Sequence, residues 1–217
     1  MFIGHYSIAF ALKSKERKTS LGLLFIATQF VDILFFPLAL IGVEKIEFVK
    51  NFTAVNDFVF FYPFTHGLLS VIGWSILIFS VIILFYKKKE KKRVAIVLAL
   101  AVLSHWFMDL IVHTPDLPLL NNNIKFGFGL WNNKLATFGV ETALLILSVV
   151  YYIKRTTFIN KKGKHLILLF TIFLLLINYL NIFILPKNSN ITSLTFSALA
   201  AYFIFALMAH FIDKKRI

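Results

Sequence analysis

The chain has 217 residues, of which 59% are hydrophobic and 17% aromatic, and its mean hydropathy is +0.82. A soluble globular domain is about half apolar, so this composition excludes that class and indicates an integral membrane protein. The sequence contains no cysteine, which excludes disulfides and thiolate metal sites and leaves His, Asp and Glu as possible metal ligands.

The net charge of +13 does not by itself indicate nucleic-acid binding, because the basic residues are clustered. Four segments carry 18 of the 23 Lys and Arg residues: 13–18, 87–93, 154–164 and 214–216. They alternate with connections that carry few basic residues, which is the positive-inside pattern of membrane proteins. We therefore expect no nucleic-acid partner, and we predict a multi-pass protein of the bacterial inner membrane with both termini in the cytoplasm.

The hydropathy pattern predicts an all-α fold, a single membrane domain over residues 1–217 with six transmembrane helices. About 20 apolar residues cross a bilayer core, and six stretches are this long: 21–43, 64–86, 94–113, 135–153, 165–186 and 192–212. Residues 1–12 are apolar but too short to span. We expect them to form either a re-entrant half-helix buried among the other helices or a helix that lies flat in the membrane interface.

Ionisable side chains inside these helices are the main functional signal, because each one costs at least a few kcal/mol in a bilayer. In chain order, His5 lies in the segment 1–12, Asp32 in the first span and His66 at the start of the second. Glu141 lies in the fourth span. We interpret them as parts of one site.

The third span carries the most specific pattern. His105, Asp109 and His113 follow one another at i, i+4 and i+8, so all three project from one face of a helix. An imidazole nitrogen and a carboxylate oxygen at this spacing can converge on one ion.

The depth of these residues in their helices gives a second argument for one site. At about 1.5 Å per residue, Asp32, His105 and Glu141 lie roughly 16–18 Å from the cytoplasmic ends of their spans, and Asp109 lies at about 22 Å. His66 comes out higher, near 30 Å by the same count. A shared level is what a metal site requires, and it predicts a site in the middle to outer half of the bilayer.

At these residues the chain resembles a family of bacterial inner-membrane metal-dependent hydrolases, some members of which are labelled LexA-binding. The similar motifs are Gly4-His5, Asp32, Thr65-His66 in "YPFTHGLLS", and His105 with Asp109 in "LSHWFMD". The segments "VHTPDLPL" and "FGFGLWNN", followed by a glutamate, are similar to a subgroup of the family. The resemblance covers roughly residues 1–150, whereas 151–217 read as two generic membrane helices.

The residues and the resemblance together predict a site for one or two divalent ions, most simply Zn²⁺. The expected ligands come from several helices: His5, Asp32, His66, His105 and Asp109. Three further residues are expected to take part in catalysis. Glu141 is the candidate general base or a further ligand, and His113 or Asp116 would orient the substrate or protonate its leaving group.

The predicted function is metal-dependent hydrolysis of an ester or phosphoester in a lipid-like or phosphorylated small substrate, by a metal-activated water. Two alternatives stay open. The same residues could form a cation or proton pathway in a transporter, or the metal could serve only the stability of a structural or regulatory membrane protein. A transport pathway requires polar residues that continue to the cytoplasmic side, where the spans consist of Leu, Ile, Val and Phe.

Overall fold

The structure is a computed structural model that describes residues 1–120, 123–159, 161–187 and 189–215. Within these residues the chain is mostly helical, as predicted. The α-helices are α1 Ile3–Lys15, α2 Leu21–Thr28, α3 Phe30–Leu40, α4 Pro63–His66, α5 Leu68–Phe85, α6 Lys91–Val112, α7 Lys134–Arg155, α8 Lys161–Tyr179 and α9 Ile191–Asp213. A 3-10 turn, Leu130–Asn132, precedes α7, and a π-helix, Leu180–Ile184, follows α8.

The prediction of a purely helical fold misses two short antiparallel strand pairs. β1 Lys45–Phe48 pairs with β2 Phe58–Phe61, and β3 Leu117–Pro118 pairs with β4 Lys125–Phe126. Both pairs lie in connections between predicted spans. Strands of two to four residues are too short for an alternating pattern to distinguish them from loop.

Five segments of the described chain are long and apolar enough to cross a membrane: Leu68–Phe85, Lys91–Val112, Lys134–Arg155, His165–Ile184 and Ile191–Asp213. A sixth span results if α2 and α3, which meet at an angle of 48°, are taken as one bent span. This agrees with the predicted number of spans. Two of the predicted spans are interrupted, the first at Gln29 and the second at Gly67.

Helix α1 is buried inside the bundle, which decides between the two expectations for the segment 1–12. Its 13 residues extend about 20 Å, and it packs against α2, α6 and α7. Residues on several of its faces are buried, including Ile3, His5, Tyr6 and Phe10. The helix therefore brings His5 from one end of the bundle into its interior.

The basic segments meet at one end of the bundle around a buried ion pair. Lys13 Nζ lies 2.8 Å from Asp213 Oδ2, and the Tyr152 hydroxyl donates a hydrogen bond of 3.0 Å to Asp213 Oδ1. Close by, the Ile159 N–H donates to the Lys215 carbonyl at 3.0 Å. Three of the four basic segments are thereby joined, and the ion pair ties α1 to α9.

A glycine allows α2 and α9 to pack closely. A Cβ atom at Gly22 would collide with the backbone carbonyl oxygen of Ala206 and with His210. Small residues at such positions let helices approach each other within a membrane. The contact keeps α9 beside the helices that carry the polar cluster.

We predict that Asp213→Asn strongly destabilises the fold, because Lys13 would remain buried without its counter-ion. Breaking a buried ion pair by removing one partner costs about 3 kcal/mol or more. The free energy of unfolding, measured in detergent micelles, should fall by about this amount. Lys214→Gln alters an exposed neighbouring charge and should have little effect; equal stability of the two variants would contradict the role given to the ion pair.

Candidate metal centre

The carboxylate of Asp109 lies at the centre of a buried polar cluster. Its Oδ2 is 3.0 Å from His105 Nε2, 3.8 Å from His113 Nε2 and 3.9 Å from His66 Nε2. Its Oδ1 is 3.1 Å from His5 Nε2. All five residues are at most 4% exposed. Four imidazoles from three parts of the chain, α1, α4 and α6 with its C-cap, therefore surround one carboxylate in the protein interior.

Asp32 provides a second carboxylate at the same place. Its Oδ1 lies 3.2 Å from His66 Nε2 and 3.7 Å from His105 Nε2. Its Oδ2 accepts a hydrogen bond of 3.0 Å from the hydroxyl of Tyr202, on α9. Asp32 belongs to the first turn of α3, where the helix dipole favours a negative charge.

These side chains form two groups that could hold a metal ion. One consists of His5, His105 and Asp109, the other of Asp32, His66 and His105. Within each group the potential ligand atoms all lie within 4.8 Å of one another. The two groups share His105, and together they contain all five residues that the sequence indicated as ligands.

The break between α2 and α3 orients His105. The last four carbonyl groups of a helix have no partner within that helix, and Thr28 is the last residue of α2. Its carbonyl oxygen accepts a hydrogen bond of 2.8 Å from His105 Nδ1. Nδ1 of this imidazole therefore carries a proton, and Nε2 is turned towards the carboxylates.

A chain of hydrogen bonds orients His66. Glu44 Oε2 accepts a hydrogen bond of 2.7 Å from the Thr65 hydroxyl, so the Thr65 oxygen accepts from His66 Nδ1 at 2.8 Å. The Glu44 carboxylate also accepts the backbone N–H of Thr65 at 2.9 Å. Burial raises the pKa of Glu44, although the hydrogen bonds from Thr65 act in the opposite direction. His66 therefore also presents Nε2 to the cluster.

His113 is oriented by Asp116 and Tyr62. Its Nδ1 lies 2.9 Å from Asp116 Oδ1 and 3.0 Å from the Tyr62 hydroxyl oxygen. A carboxylate can only accept, so the proton is on Nδ1 and Nε2 is free. Burial, followed by the charges of Asp116 and Asp109, raises the pKa of Tyr62 well above its ordinary value, so Tyr62 stays neutral.

The loop after β4 packs directly on the end of α6 and fixes the backbone of His113. Gly129 N–H donates to the His113 carbonyl at 2.6 Å. A Cβ atom at Gly127 would collide with the carbonyl oxygens of His113 and Thr114. This close approach gives a structural reason for the glycines in the segment "FGFGLWNN".

The residues present fit a divalent cation. His66, His105 and His113 each use Nδ1 in a hydrogen bond outside the cluster, and each turns Nε2 towards a carboxylate. His105 Nε2 is buried without a hydrogen-bond partner although it lies 3.0 Å from a carboxylate oxygen. An Nε2 lone pair and a carboxylate oxygen that faces it repel each other. A cation between the two atoms removes that repulsion. A set of imidazole and carboxylate donors suits Zn²⁺ and similar ions.

Glu141 lies at the N-terminus of α1. Its Oε2 accepts the backbone N–H groups of Gly4 at 3.2 Å and of Phe2 at 3.3 Å. No side chain of α1 itself caps this end, so Glu141, on α7, satisfies amides that would otherwise lack a partner. The His5 ring, one turn along, stacks on His105 with the ring centres 4.0 Å apart. Glu141 thereby fixes the start of the helix that carries His5, and its role as a base or ligand stays a prediction.

A cavity of about 760 Å³ reaches the cluster. Asp32, His66, Asp109, His113 and Glu141 all contribute to its wall. The remaining lining is largely apolar and comes mainly from α3, the β1–β2 loop, α8, the π-helix and α9. The cluster is therefore accessible to a molecule larger than water.

The sequence did not predict every feature of the site. His66 was estimated to lie well above Asp32, but the chain breaks at Gly67 and turns His66 inward to contact that carboxylate. Tyr202 lies in the part of the chain that reads as generic membrane helix. Thr65 belongs to a motif of the resemblance and Glu44 does not, and only the hydrogen bonds of these two residues reveal their roles.

A comparison with protein families, with curated proteins and with solved structures gives no match to this chain.

We predict that Thr65→Val weakens metal binding by about 10–100-fold, the usual effect of losing a hydrogen-bonding partner of a metal-ligating histidine. Valine preserves the shape of threonine but offers no oxygen to His66 Nδ1. Thr65→Ser retains the hydroxyl and should bind metal almost as the original protein does. Titration of the metal-free protein with Zn²⁺ measures the effect; equal affinities of the valine and serine variants would contradict it.

Proposed function

We propose that the protein is a membrane-embedded, metal-dependent hydrolase that cleaves an ester or phosphoester in a lipid-like substrate. The observation that supports this most strongly is the orientation of three imidazoles, each with Nδ1 hydrogen-bonded outside the cluster and Nε2 directed at Asp109 or Asp32. The motifs shared with bacterial inner-membrane hydrolases agree with this reaction class, and membership of that family is part of the proposal.

The proposed ligands are the two groups that share one histidine: His5, Asp32, His66, His105 and Asp109. Two groups allow one or two divalent ions, and Zn²⁺ is the ion that these donors suit best. A divalent ion bound there would act as a Lewis acid on the substrate and favour hydroxide as the nucleophile at neutral pH.

His113 is proposed to transfer the proton. Asp116 holds the proton of this imidazole on Nδ1, leaving Nε2 free beside the cavity, which is the orientation of a general base. Nε2 accepts a proton from the attacking water as the water oxygen bonds to the carbonyl carbon or phosphorus. The same proton is then donated to the leaving oxygen as its bond to that atom breaks. Asp116 and Tyr62 orient the ring.

Glu141 and Tyr202 are proposed as positioning residues. Glu141 fixes the N-terminus of α1 and with it His5. Tyr202 donates to Asp32 Oδ2, so that the other oxygen remains directed at His66 and His105. Neither role requires contact with the substrate.

The apolar cavity beside the cluster favours a lipid-like substrate. Ligand pockets of some 300–1,000 Å³ are typically apolar with a few convergent polar groups, and this cavity of about 760 Å³ fits that description. We further propose a location in a bacterial inner membrane, with the joined basic segments on the cytoplasmic side and the cluster in the middle to outer half of the bilayer.

An apolar layer separates the cluster from the basic end of the bundle and favours an enzyme over a transporter. The Tyr6 ring stacks on Phe25 with the ring centres 4.3 Å apart, and Phe10 packs edge-on against Phe25 at 5.5 Å. All three side chains are at most 1% exposed. A purely structural metal site is closed, because four protein ligands complete its coordination. The cavity that reaches the cluster favours instead a catalytic site with an open position.

We expect the purified protein to contain stoichiometric metal, and we expect Asp109→Asn to lose both the metal and hydrolysis of phospholipid or phosphomonoester substrates. Asp109 contributes to the cluster with both of its oxygens, and an amide is a poor ligand for Zn²⁺. His165→Asn, at an exposed histidine of α8, is the matched control and should retain both. Elemental analysis measures the metal; its absence from the original protein would refute the proposal, and metal-dependent cation uptake into proteoliposomes without hydrolysis would favour a transporter.

We expect His113→Asn to lower kcat by about 10²–10⁴-fold, the usual contribution of a general acid–base, while the metal content is preserved. Asp116→Asn should lower kcat less, because the imidazole remains but loses its orientation. Loss of metal from His113→Asn would instead identify His113 as a ligand.

A further inference from the structure

Asn178, on α8, is a buried amide that no residue of the described chain satisfies. Its side chain is 0% exposed, and both Nδ2 and Oδ1 lack a hydrogen-bond partner. Buried polar side chains are nearly always hydrogen-bonded, and leaving one unpaired is costly. Asn178 belongs to the wall of the same cavity as Asp109 and His113, so a ligand in that cavity could supply the missing partner.

The cavity has a polar end at the cluster and a long apolar part between α3, α8 and α9. Its apolar wall includes Phe36, Ile182, Leu194, Ala198 and Ala201. This combination of a polar end with an apolar passage matches a molecule that has a polar linkage and a hydrocarbon chain.

The apolar part opens between α8 and α9. Asn181 in the π-helix, Leu185 directly after it and Ser197 on α9 all line the cavity and are exposed, so the cavity is open to the surface here. Both helices are among the candidate membrane spans. A lateral opening at this position would face the acyl chains of a bilayer and not the aqueous phase.

The π-helix at Leu180–Ile184 shapes this opening. A π-turn inserts an extra residue into a helix and changes the direction of the side chains around it, and such turns are frequent at functional sites. Here it begins two residues after Asn178, with Ile182 buried against the cavity and Asn181 exposed at the opening.

We propose that the cavity binds a membrane lipid through its acyl chain, which lies between α8 and α9, and that Asn178 determines specificity by hydrogen-bonding the polar linkage of that lipid. The amide can donate through Nδ2 and accept through Oδ1, so it can recognise an ester carbonyl or a neighbouring hydroxyl. This inference rests on the proposed function for its substrate, although lipid binding itself requires no hydrolysis.

The test uses the full-length protein in vesicles of phosphatidylethanolamine and phosphatidylglycerol that contain a phospholipid with a photoactivatable acyl chain. Irradiation should label peptides of α8 and α9. Asn178→Leu should reduce the labelling about tenfold and should also raise the melting temperature, by roughly 2–4 °C, because an unpaired buried amide is replaced by an apolar side chain of similar size. An amide with a purely structural role would give a lower melting temperature in this variant.

A second pair of variants tests the passage independently of Asn178. Ala198→Trp would fill the apolar part of the cavity and should abolish the labelling, whereas Ala200→Trp, on the exposed side of the same helix, should leave it unchanged. Labelling that is unchanged in both Asn178→Leu and Ala198→Trp, or that maps outside α8 and α9, would overturn the inference.

Hydrolysis, measured in parallel, separates this inference from the proposed function. Specific lipid labelling without turnover of any ester or phosphoester would support the lipid site and refute the hydrolase. Turnover of a water-soluble phosphomonoester without lipid labelling would support the hydrolase and refute the lipid site.

Discussion

The need to compensate the buried charges of Asp109 and Asp32 governs the architecture of this protein. Two carboxylates in an apolar interior are stable only if opposite charges or donors surround them. Here the hydroxyl of Tyr202 donates to Asp32, and four imidazoles lie where they could share a cation with the two carboxylates. These partners come from α1, α4, α6 and α9, so the helices cannot move apart without exposing a buried charge to an apolar environment. The packing of the helices and the geometry of the site therefore depend on each other.

Breaks in the helices orient the histidine side chains of the site in a way that long, straight helices could not. The break at Gln29 frees the carbonyl of Thr28 for His105, and the break at Gly67 turns His66 inward. The end of α6 places His113 where Asp116 can reach it. In an apolar environment a free backbone group must find another partner, and at the first of these breaks the imidazole of His105 provides it.

The sequence predicted the helical bundle, the buried half-helix as one of two possibilities and the ionisable members of the cluster. These features are visible because a charged or imidazole side chain contrasts with an apolar run, and because a fixed rise per residue converts sequence position into depth. The same depth count was wrong for His66, since it assumes an unbroken helix. Hydropathy is averaged over a window and does not detect a break of one residue.

Polar residues other than the clustered histidines and aspartates were the least predictable part of the site. Tyr202 and Asn178 lie in helices that look ordinary, because a single hydroxyl or amide among Leu, Ile and Phe is common in membrane spans. Glu44 acts on His66 through the neighbouring Thr65, by a hydrogen bond between residues 21 positions apart in sequence. Such relations depend on tertiary contacts and have no local pattern.

The anchoring of α1 by Glu141 has a consequence for biogenesis. During synthesis the residues that form the two candidate metal groups are all available once Asp109 has been made, but the residue that fixes the start of α1 follows 32 positions later and the tyrosine that contacts Asp32 follows later still. The site therefore cannot be complete until the last helices have inserted. An ion at this site would therefore be captured by the finished protein and not by the nascent chain, which would couple its supply to the end of membrane assembly.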